Sequence, residues 1–154
     1  MKLPIIATLL AVASVAEAHP HCTEVIAVIV DAPTTENCSS PYGFCIAGHV
    51  IGDDGFIGST LYTFDGFSPA PATSPDNGES TGTEVYTLWG GTLTTRETGV
   101  GNMGAAAVSG EGAGFEQILS GTGQFSGATG VLFLSQTAAN GEYTSHVHGQ
   151  VCTP

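Results

Sequence analysis

Short runs of β-branched and aromatic residues recur along the chain, and glycine, proline or other turn residues separate them. No window sustains apolar residues at the i, i+3, i+4 and i+7 spacing of an amphipathic helix. Eight or nine short strands with turns between them predict an all-β domain, either an antiparallel sandwich or a closed barrel. The runs are Val25 to Val30, Phe44 to Ile51, Phe56 to Phe64, Thr83 to Trp89, Thr92 to Thr98, Ala105 to Val108, Phe115 to Leu119, Val131 to Gln136 and Tyr143 to Val151.

Two connections have distinct turn signals. Gly90-Gly91 lies between two runs and predicts a tight hairpin over Thr83 to Thr98, because glycine tolerates the positive φ of short hairpin turns. The segment Ser68 to Thr83 contains three prolines and an Asp-Asn-Gly sequence, so we expect a long loop at one end of the sheet. That loop is either an insertion without a role or a lid over a barrel mouth.

The stretch GTGQFSGATG, residues 121–130, holds four glycines directly before an apolar run. The spacing is not that of a dinucleotide-binding loop, no lysine follows as in a P-loop, and a β-type run follows instead of a helix. The stretch therefore predicts a sharp reversal between two strands, with Phe125 packed into the core.

The same stretch, preceded and followed by strands, resembles the signature of the allene oxide cyclase barrel-like domains, which are related to plant allene oxide cyclases and dirigent proteins. The segment Gly91 to Gly99 and the ending Gly149 to Cys152 are also similar to secreted members of that group. The resemblance spans about residues 44 to 152. It implies an eight-stranded antiparallel barrel with a cavity for small, largely apolar molecules.

Relatives of known chemistry in this group direct an intramolecular cyclisation or the stereochemistry of a coupling, using acids and aromatic residues instead of a metal. Their catalytic residues do not align with this chain by motif, so none is transferred. The resemblance thus implies a cofactor-free cyclase, isomerase or stereo-directing protein, but fold likeness alone does not establish an activity.

The first eighteen residues are typical of a secretory signal peptide. Lys2 is followed by a short apolar run, and Ala16-Glu17-Ala18 fits the small-x-small cleavage rule. We expect a single mature domain over residues 19–154, exported outside the cell or to a periplasm.

The net charge of the chain is −12. Removing residues 1–18 takes away one base and one acid, Lys2 and Glu17, and leaves that charge unchanged. Such a surface repels nucleic acid and anionic lipid headgroups, so neither is expected as a partner. The oligomeric state is open.

All four cysteines lie after the predicted signal, where oxidation is the default, so we expect two disulfides. Three pairings are formally possible. Cys38 and Cys45 flank a turn-rich segment and form a natural local loop, which leaves Cys22 to join Cys152 across the ends of the domain. A tetrathiolate zinc site is disfavoured, because the chain has no Cys-x-x-Cys pair.

Strand alternation groups candidate acid–base residues. Leu93, Thr95 and Glu97 share one face of their strand, Glu84 shares a face with Tyr86, and Tyr62 with Phe64. If the apolar members point inward, the acids do too, and burial would raise their pKa values as a general acid or base requires. Glu97, Glu84, Tyr86 and Tyr62 are therefore the catalytic candidates; the alternative is a solvated rim.

Histidines suggest a second kind of site. His146 and His148 share one strand face, and a Cys22–Cys152 bridge would bring His19 and His21 within reach. Four imidazoles would suit copper or zinc. The alternative is a frayed terminus beside exposed polar positions.

We expect a secreted barrel that binds a small apolar or phenolic molecule without a cofactor. The competing functions are a copper- or zinc-binding exported protein and a non-catalytic extracellular module. The enzyme hypothesis requires an inward carboxylate beside aromatic residues in a cavity of roughly 300 Å³ or more.

Overall fold

The chain folds into one closed barrel of eight antiparallel strands. The computed structural model describes residues 20–68, 72–73, 77–102 and 109–154. Each strand pairs with the next, and the last pairs with the first. The predicted all-β, eight-stranded antiparallel barrel is thus confirmed. The strands are β1 (His21–Thr34), β2 (Cys45–Gly52), β3 (Ile57–Ser68), β4 (Asn77–Leu88), β5 (Gly91–Asn102), β6 (Ser109–Gly121), β7 (Thr129–Ala139) and β8 (Glu142–Thr153).

Alternation along the strands separates the interior from the outer surface, apart from register shifts in the β3–β4 and β5–β6 pairs. In β1, Val25, Ala27 and Ile29 are buried, whereas Ile26 and Val30 are exposed. Successive side chains of a strand point to opposite faces, so one parity fills the barrel and the other covers it. A closed barrel leaves no strand edge unpaired, which removes the edges that would otherwise invite association with another sheet.

The expected long loop between β3 and β4 is wrong in its second half. Residues from Asn77 onward belong to β4, and Asn77 lies opposite Asn102 of β5. The segment Gly78 to Thr83 is rich in glycine, serine and threonine and resembles a loop, but β-branched Thr81 and Thr83 are good strand residues once β5 supplies a partner. Most of the connection, and the predicted strand Ala105 to Val108, lie outside the described residues.

The GTGQFSGATG stretch forms the predicted reversal. It leaves β6 at Gly121, makes a single 3-10 turn over Gly123–Phe125, and enters β7 at Thr129. Gly123 and Gly127 have φ values of 60° and 74°, which favour glycine. Phe125 packs against the core, as expected.

Both predicted disulfides are present. Cys22 and Cys152 are joined between β1 and β8, and Cys38 is joined to Cys45. The Cys22–Cys152 bridge joins residues 130 apart in the sequence. In the loop-entropy account, a disulfide that closes so long a loop stabilises the folded state by up to roughly 5 kcal/mol. Two disulfides are compatible with an oxidising, extracellular or periplasmic compartment. Within the described ranges, no helix has the length and apolarity to cross a membrane.

The barrel has two unlike halves. We call the end with the Cys22–Cys152 bridge and the residue 121–130 reversal the lower end, and the opposite end, where β1 leads into β2 and β7 into β8, the upper end. The main core fills the lower half and packs apolar side chains from most strands. A smaller cluster of Ile46, Tyr62 and Phe64 lies in the upper half.

Candidate functional site: an acid-lined cavity in the upper half

A cavity of about 110 Å³ lies inside the barrel in its upper half. Apolar and aromatic side chains form part of its wall, among them Ile46, Phe64 and Leu134. It is smaller than the roughly 300 Å³ expected of a site that encloses a whole ligand. At roughly 30 Å³ per water molecule it would hold three or four waters. The expectation of a cavity of roughly 300 Å³ or more is therefore wrong for this cavity.

Glycines at inward positions create this space. Gly99 and Gly101 of β5 and Gly114 of β6 line the cavity, where the same parity lower in β5 carries Leu93. A Cβ on Gly114 would lie 2.9 Å from Glu97 Oε1, so even alanine would crowd that carboxyl. The upper half of the barrel thus contains a cavity because several of its inward positions are glycine.

Three glutamates from adjacent strands meet in the interior. Glu97 of β5 lies directly opposite Glu116 of β6, and Glu84 of β4 lies opposite Thr95 of β5. One carboxylate oxygen from each glutamate lies within 4.8 Å of the other two. Like charges at facing positions of a sheet destabilise it. We call Glu84, Glu97 and Glu116 the glutamate triad.

No basic side chain in the described part of the chain faces the triad. The strong cation there, Arg96, is exposed on the outer surface and makes a bidentate ion pair with Asp65. Asp65 also accepts a hydrogen bond of 2.8 Å from the Thr81 hydroxyl. The triad is therefore a set of two buried acids and one half-buried acid without a counter-ion among the described residues.

Hydrogen bonding satisfies only part of the acid interior. The Tyr86 hydroxyl lies 2.9 Å from both carboxyl oxygens of Glu116 and donates to that carboxyl. Thr95 and Thr60 lie close enough to Glu116 and Glu84 to favour their ionised forms, but neither makes a hydrogen bond of good geometry. Among the side chains that the structure describes, five buried polar atoms lack a partner: Asp31 Oδ1, Thr60 Oγ1, Tyr62 Oη, Glu84 Oε1 and Thr95 Oγ1.

Burial raises the pKa of every acid in this interior. Desolvation, followed by the charges of Glu116 and Asp31, raises the pKa of Glu97 to about 8. Desolvation raises the pKa of Glu116 to about 7, against the opposing effect of the Tyr86 hydroxyl. The pKa of Glu84 is raised well above its usual value by desolvation and then by Glu116. The pKa of Asp31 rises to about 7, through desolvation and then Glu142.

The two interior tyrosines remain phenols at neutral pH. Desolvation, and then the charges of neighbouring glutamates, raises the pKa values of Tyr62 and Tyr86. Tyr62 packs edge-on against Phe64, with 4.5 Å between ring centroids. With the carboxyls protonated, the cavity offers hydroxyl donors. With the carboxyls ionised, it offers a concentrated negative charge.

The structure gathers the four acid–base candidates in one place. Glu84, Glu97 and Tyr62 line the cavity, and Tyr86 is fully buried beside Glu116. The prediction that Leu93, Thr95 and Glu97 share the inward face of their strand is confirmed. Catalysis by these residues stays a prediction.

Sequence reasoning missed Glu116 and Asp31. Glu116 is fully buried and shares the inward parity of Ile118, and Asp31 extends the inward series of Val25, Ala27 and Ile29. That parity is the signal that could have identified both. Acids are almost never fully buried unless they are paired, so the parity alone does not single out either residue.

Among the described residues, the expectation that His21 lies close to His146 and His148 is wrong. His146 and His148 are exposed on the outer face, opposite Val28 and Ile26 of β1. His21 lies opposite Thr153, five residues along β1 from Ile26, which is roughly 17 Å at about 3.4 Å per residue. The antiparallel register that joins Cys22 to Cys152 causes this separation. His19 lies outside the described residues, and copper or zinc binding stays a prediction.

No protein-family model, curated protein or solved structure matches the chain. An eight-stranded barrel does not by itself identify the allene oxide cyclase group, because one architecture hosts many functions. Membership of that group therefore stays a prediction, and the cavity carries the functional argument.

Proposed function

We propose that this protein binds a small, mainly apolar molecule whose polar end enters the upper cavity. The observation that carries the proposal is the cavity itself, which joins an apolar wall to unpartnered buried hydrogen-bonding groups in one enclosed space. Binding sites for small molecules are typically concave and apolar, with a few polar groups that orient the ligand. Buried polar groups without partners are rare unless a ligand or water completes them.

The size of the cavity limits what enters it. An apolar cavity of about 150 Å³ is known to take one benzene molecule, so about 110 Å³ encloses only part of a ring-sized ligand. The ligand therefore places one end among the acids and extends toward the upper end of the barrel. The Phe64 and Leu134 side chains would contact its apolar part.

Acid–base conversion of the bound molecule is the catalytic form of this proposal. With its pKa raised to about 8, Glu97 would be a proton donor near neutral pH and a base once ionised. Glu84, Tyr62 and Tyr86 would then orient the same end of the ligand. Export through residues 1–18 is part of the proposal, and the two disulfides support it.

Binding of p-cresol, measured by isothermal titration calorimetry, tests the proposal. Gly101→Leu places a side chain in the cavity, where a Cβ would meet its nearest neighbour at 3.4 Å without strain. Thr98→Leu, at an exposed position of the same strand outside the cavity wall, is the matched control. We expect binding by the parent and by Thr98→Leu, and none by Gly101→Leu. Binding that Gly101→Leu leaves unchanged would place p-cresol elsewhere and overturn the proposal.

One observation favours a second candidate function, that of a non-catalytic extracellular module. Ile26, Phe133 and Phe115 are exposed and lie with His148 in one register row across four strands of the outer face. Exposed apolar surface of this kind marks interaction sites. Phe133→Ser would lower binding of a hydrophobic dye to the folded protein if the row forms a continuous patch. Unchanged dye binding would remove this candidate.

A further inference from the structure

The glutamate triad surrounds a position suited to a positive group. A point equidistant from three oxygens that lie within 4.8 Å of one another is at most about 2.8 Å from each. Hydrogen bonds from an ammonium N–H to a carboxylate oxygen are about 2.7–2.9 Å long. A single nitrogen can therefore lie within hydrogen-bond distance of one oxygen from each of the three carboxyls.

We propose that the ligand of this barrel carries a primary ammonium group, which binds among Glu84, Glu97 and Glu116. The inference rests on the proposed function and names its ligand class. A primary ammonium has three N–H donors and one carbon substituent. Glu84 and Glu97 line the cavity, and Glu116 is fully buried next to them, where its carboxyl also accepts a hydrogen bond from Tyr86. The three donors would reach these three carboxyls, and the carbon would direct the apolar body toward Phe64 and Leu134, which line the same cavity.

Unpartnered atoms within and next to the triad also support the inference. Glu84 Oε1 and Thr95 Oγ1 have no hydrogen-bond partner, and the two residues are 4% and 0% exposed. Leaving a buried acceptor without a donor costs about 1–3 kcal/mol. A bound ammonium supplies donors to such acceptors and the positive charge that the described interior lacks.

The apolar wall distinguishes an organic cation from a metal ion. Mg²⁺ requires oxygens at about 2.0–2.1 Å and Ca²⁺ six to eight oxygens at about 2.3–2.6 Å. A bare ion has no contact to make with Ile46, Phe64 and Leu134, which are part of the same enclosure. A cation with an apolar body uses both parts of the wall.

The acids also exclude a negatively charged ligand. A carboxylate placed among Glu84, Glu97 and Glu116 would lie in a poorly solvated space without a positive partner among the described residues, and any ionised glutamate would repel it. An uncharged alcohol of the same shape would keep the apolar contacts but form no ion pair. Three isosteric ligands of different charge therefore separate the possibilities.

Competition among benzylamine, benzyl alcohol and benzoate, followed by calorimetry at neutral pH, tests the inference. Benzylamine is cationic, benzyl alcohol neutral and benzoate anionic, and all three have similar size. We expect benzylamine to bind at least about tenfold more tightly than benzyl alcohol, as charge-assisted hydrogen bonds are about twice as strong as neutral ones. Benzoate is expected not to bind.

Glu84→Gln locates the binding site, with Glu79→Gln as the control. Glu79 is exposed on the outer side of the same strand, so its replacement removes an equal charge without reaching the cavity. We expect Glu84→Gln to weaken benzylamine binding about tenfold and to leave benzyl alcohol binding nearly unchanged. Glu97→Gln serves as a second variant, and the thermal unfolding of each variant confirms that it folds.

Three results would overturn the inference. Equal affinity for benzylamine and benzyl alcohol would show that charge is not recognised. Benzylamine binding that Glu84→Gln and Glu97→Gln leave intact would place it on the acidic surface. Uptake of Ca²⁺ without uptake of benzylamine would assign the triad to a metal. In each case the proposed function would still stand if p-cresol bound to the parent protein and Gly101→Leu abolished that binding. If p-cresol did not bind, both the proposed function and this inference would be overturned.

Discussion

The lower and upper halves of the barrel share the same strands but have opposite interiors. Leu93 in the main core is fully buried among apolar side chains. Four residues along the same strand, Glu97 lines the acid-lined cavity, as does Glu84 of the neighbouring strand. Two inward positions along a strand thus separate a region that stabilises the fold from one that contains buried acids.

This difference assigns the two halves different roles. Apolar burial stabilises a fold by roughly 25 cal/mol per Å² removed from water. Buried acids without partners oppose folding, and they persist where a site needs them. The lower half therefore provides the stability that the upper half lacks, and the Cys22–Cys152 bridge reinforces it.

The largest expected effect is in the lower half. Leu93→Ala removes a fully buried side chain and leaves a cavity, so the free energy of unfolding should fall by about 2–5 kcal/mol. Denaturant unfolding measures the change, and Val100→Ala at an exposed position of the same strand is the control. A loss below about 1 kcal/mol would mean that the lower half is not close-packed.

The next effect is the pH dependence of stability. Folding raises the pKa of Glu97 from 4.5 to about 8 and that of Glu116 from 4.5 to about 7, so the folded state holds protons that the unfolded state releases. Stability is complete below about pH 4.5 and is lost as pH rises through 7 to 8. We expect a fall of at least about 2 kcal/mol between pH 5 and pH 9. A flat profile would contradict the burial of the triad.

Replacing one acid should make the two halves more alike. Glu84→Gln keeps the side-chain shape and removes a carboxyl group whose ionisation is disfavoured by burial and by the charge of Glu116. We expect the free energy of unfolding to rise by about 1–2 kcal/mol at pH 9 and to change little at pH 5. Urea unfolding at both pH values measures the effect, with Glu79→Gln as the surface control. Destabilisation at pH 9 would indicate that the Glu84 carboxylate has a stabilising partner.

The smallest effect concerns the outer surface. Arg96 and Asp65 form an exposed ion pair, so Arg96→Ala should change the free energy of unfolding by less than about 1 kcal/mol. Thermal unfolding at low and high salt would detect it, and the difference should shrink as salt screens the pair. A larger, salt-independent loss would mean that the arginine stem packs against the barrel.

Much of the fold followed from local chemistry. Alternating β-type runs predicted the strands, and the glycines of residues 121–130 predicted the reversal into β7. The position of Cys38 and Cys45 around one turn decided the disulfide pairing. These features depend on residues that are close together in the sequence, so the sequence alone was enough to predict them.

The site could be predicted only in part, because it depends on register between distant strands. Alternation identified Glu97 and Glu84, but the pairing of Glu97 with Glu116 depends on how β5 aligns with β6. The separation of His21 from His148 depends in the same way on the register of β1 and β8. The cavity volume depends on Gly99 and Gly114 facing each other, which no single strand reveals.

Carboxyl ¹³C NMR of the glutamate side chains, titrated from pH 3 to pH 10, tests the central claim most directly, with Glu84→Gln, Glu97→Gln and Glu116→Gln for assignment. The account predicts that three glutamate carboxyls of the ligand-free protein titrate well above 4.5, Glu97 near pH 8 and Glu116 near pH 7. Titration of every glutamate near pH 4.5 would place the triad in water and contradict the account.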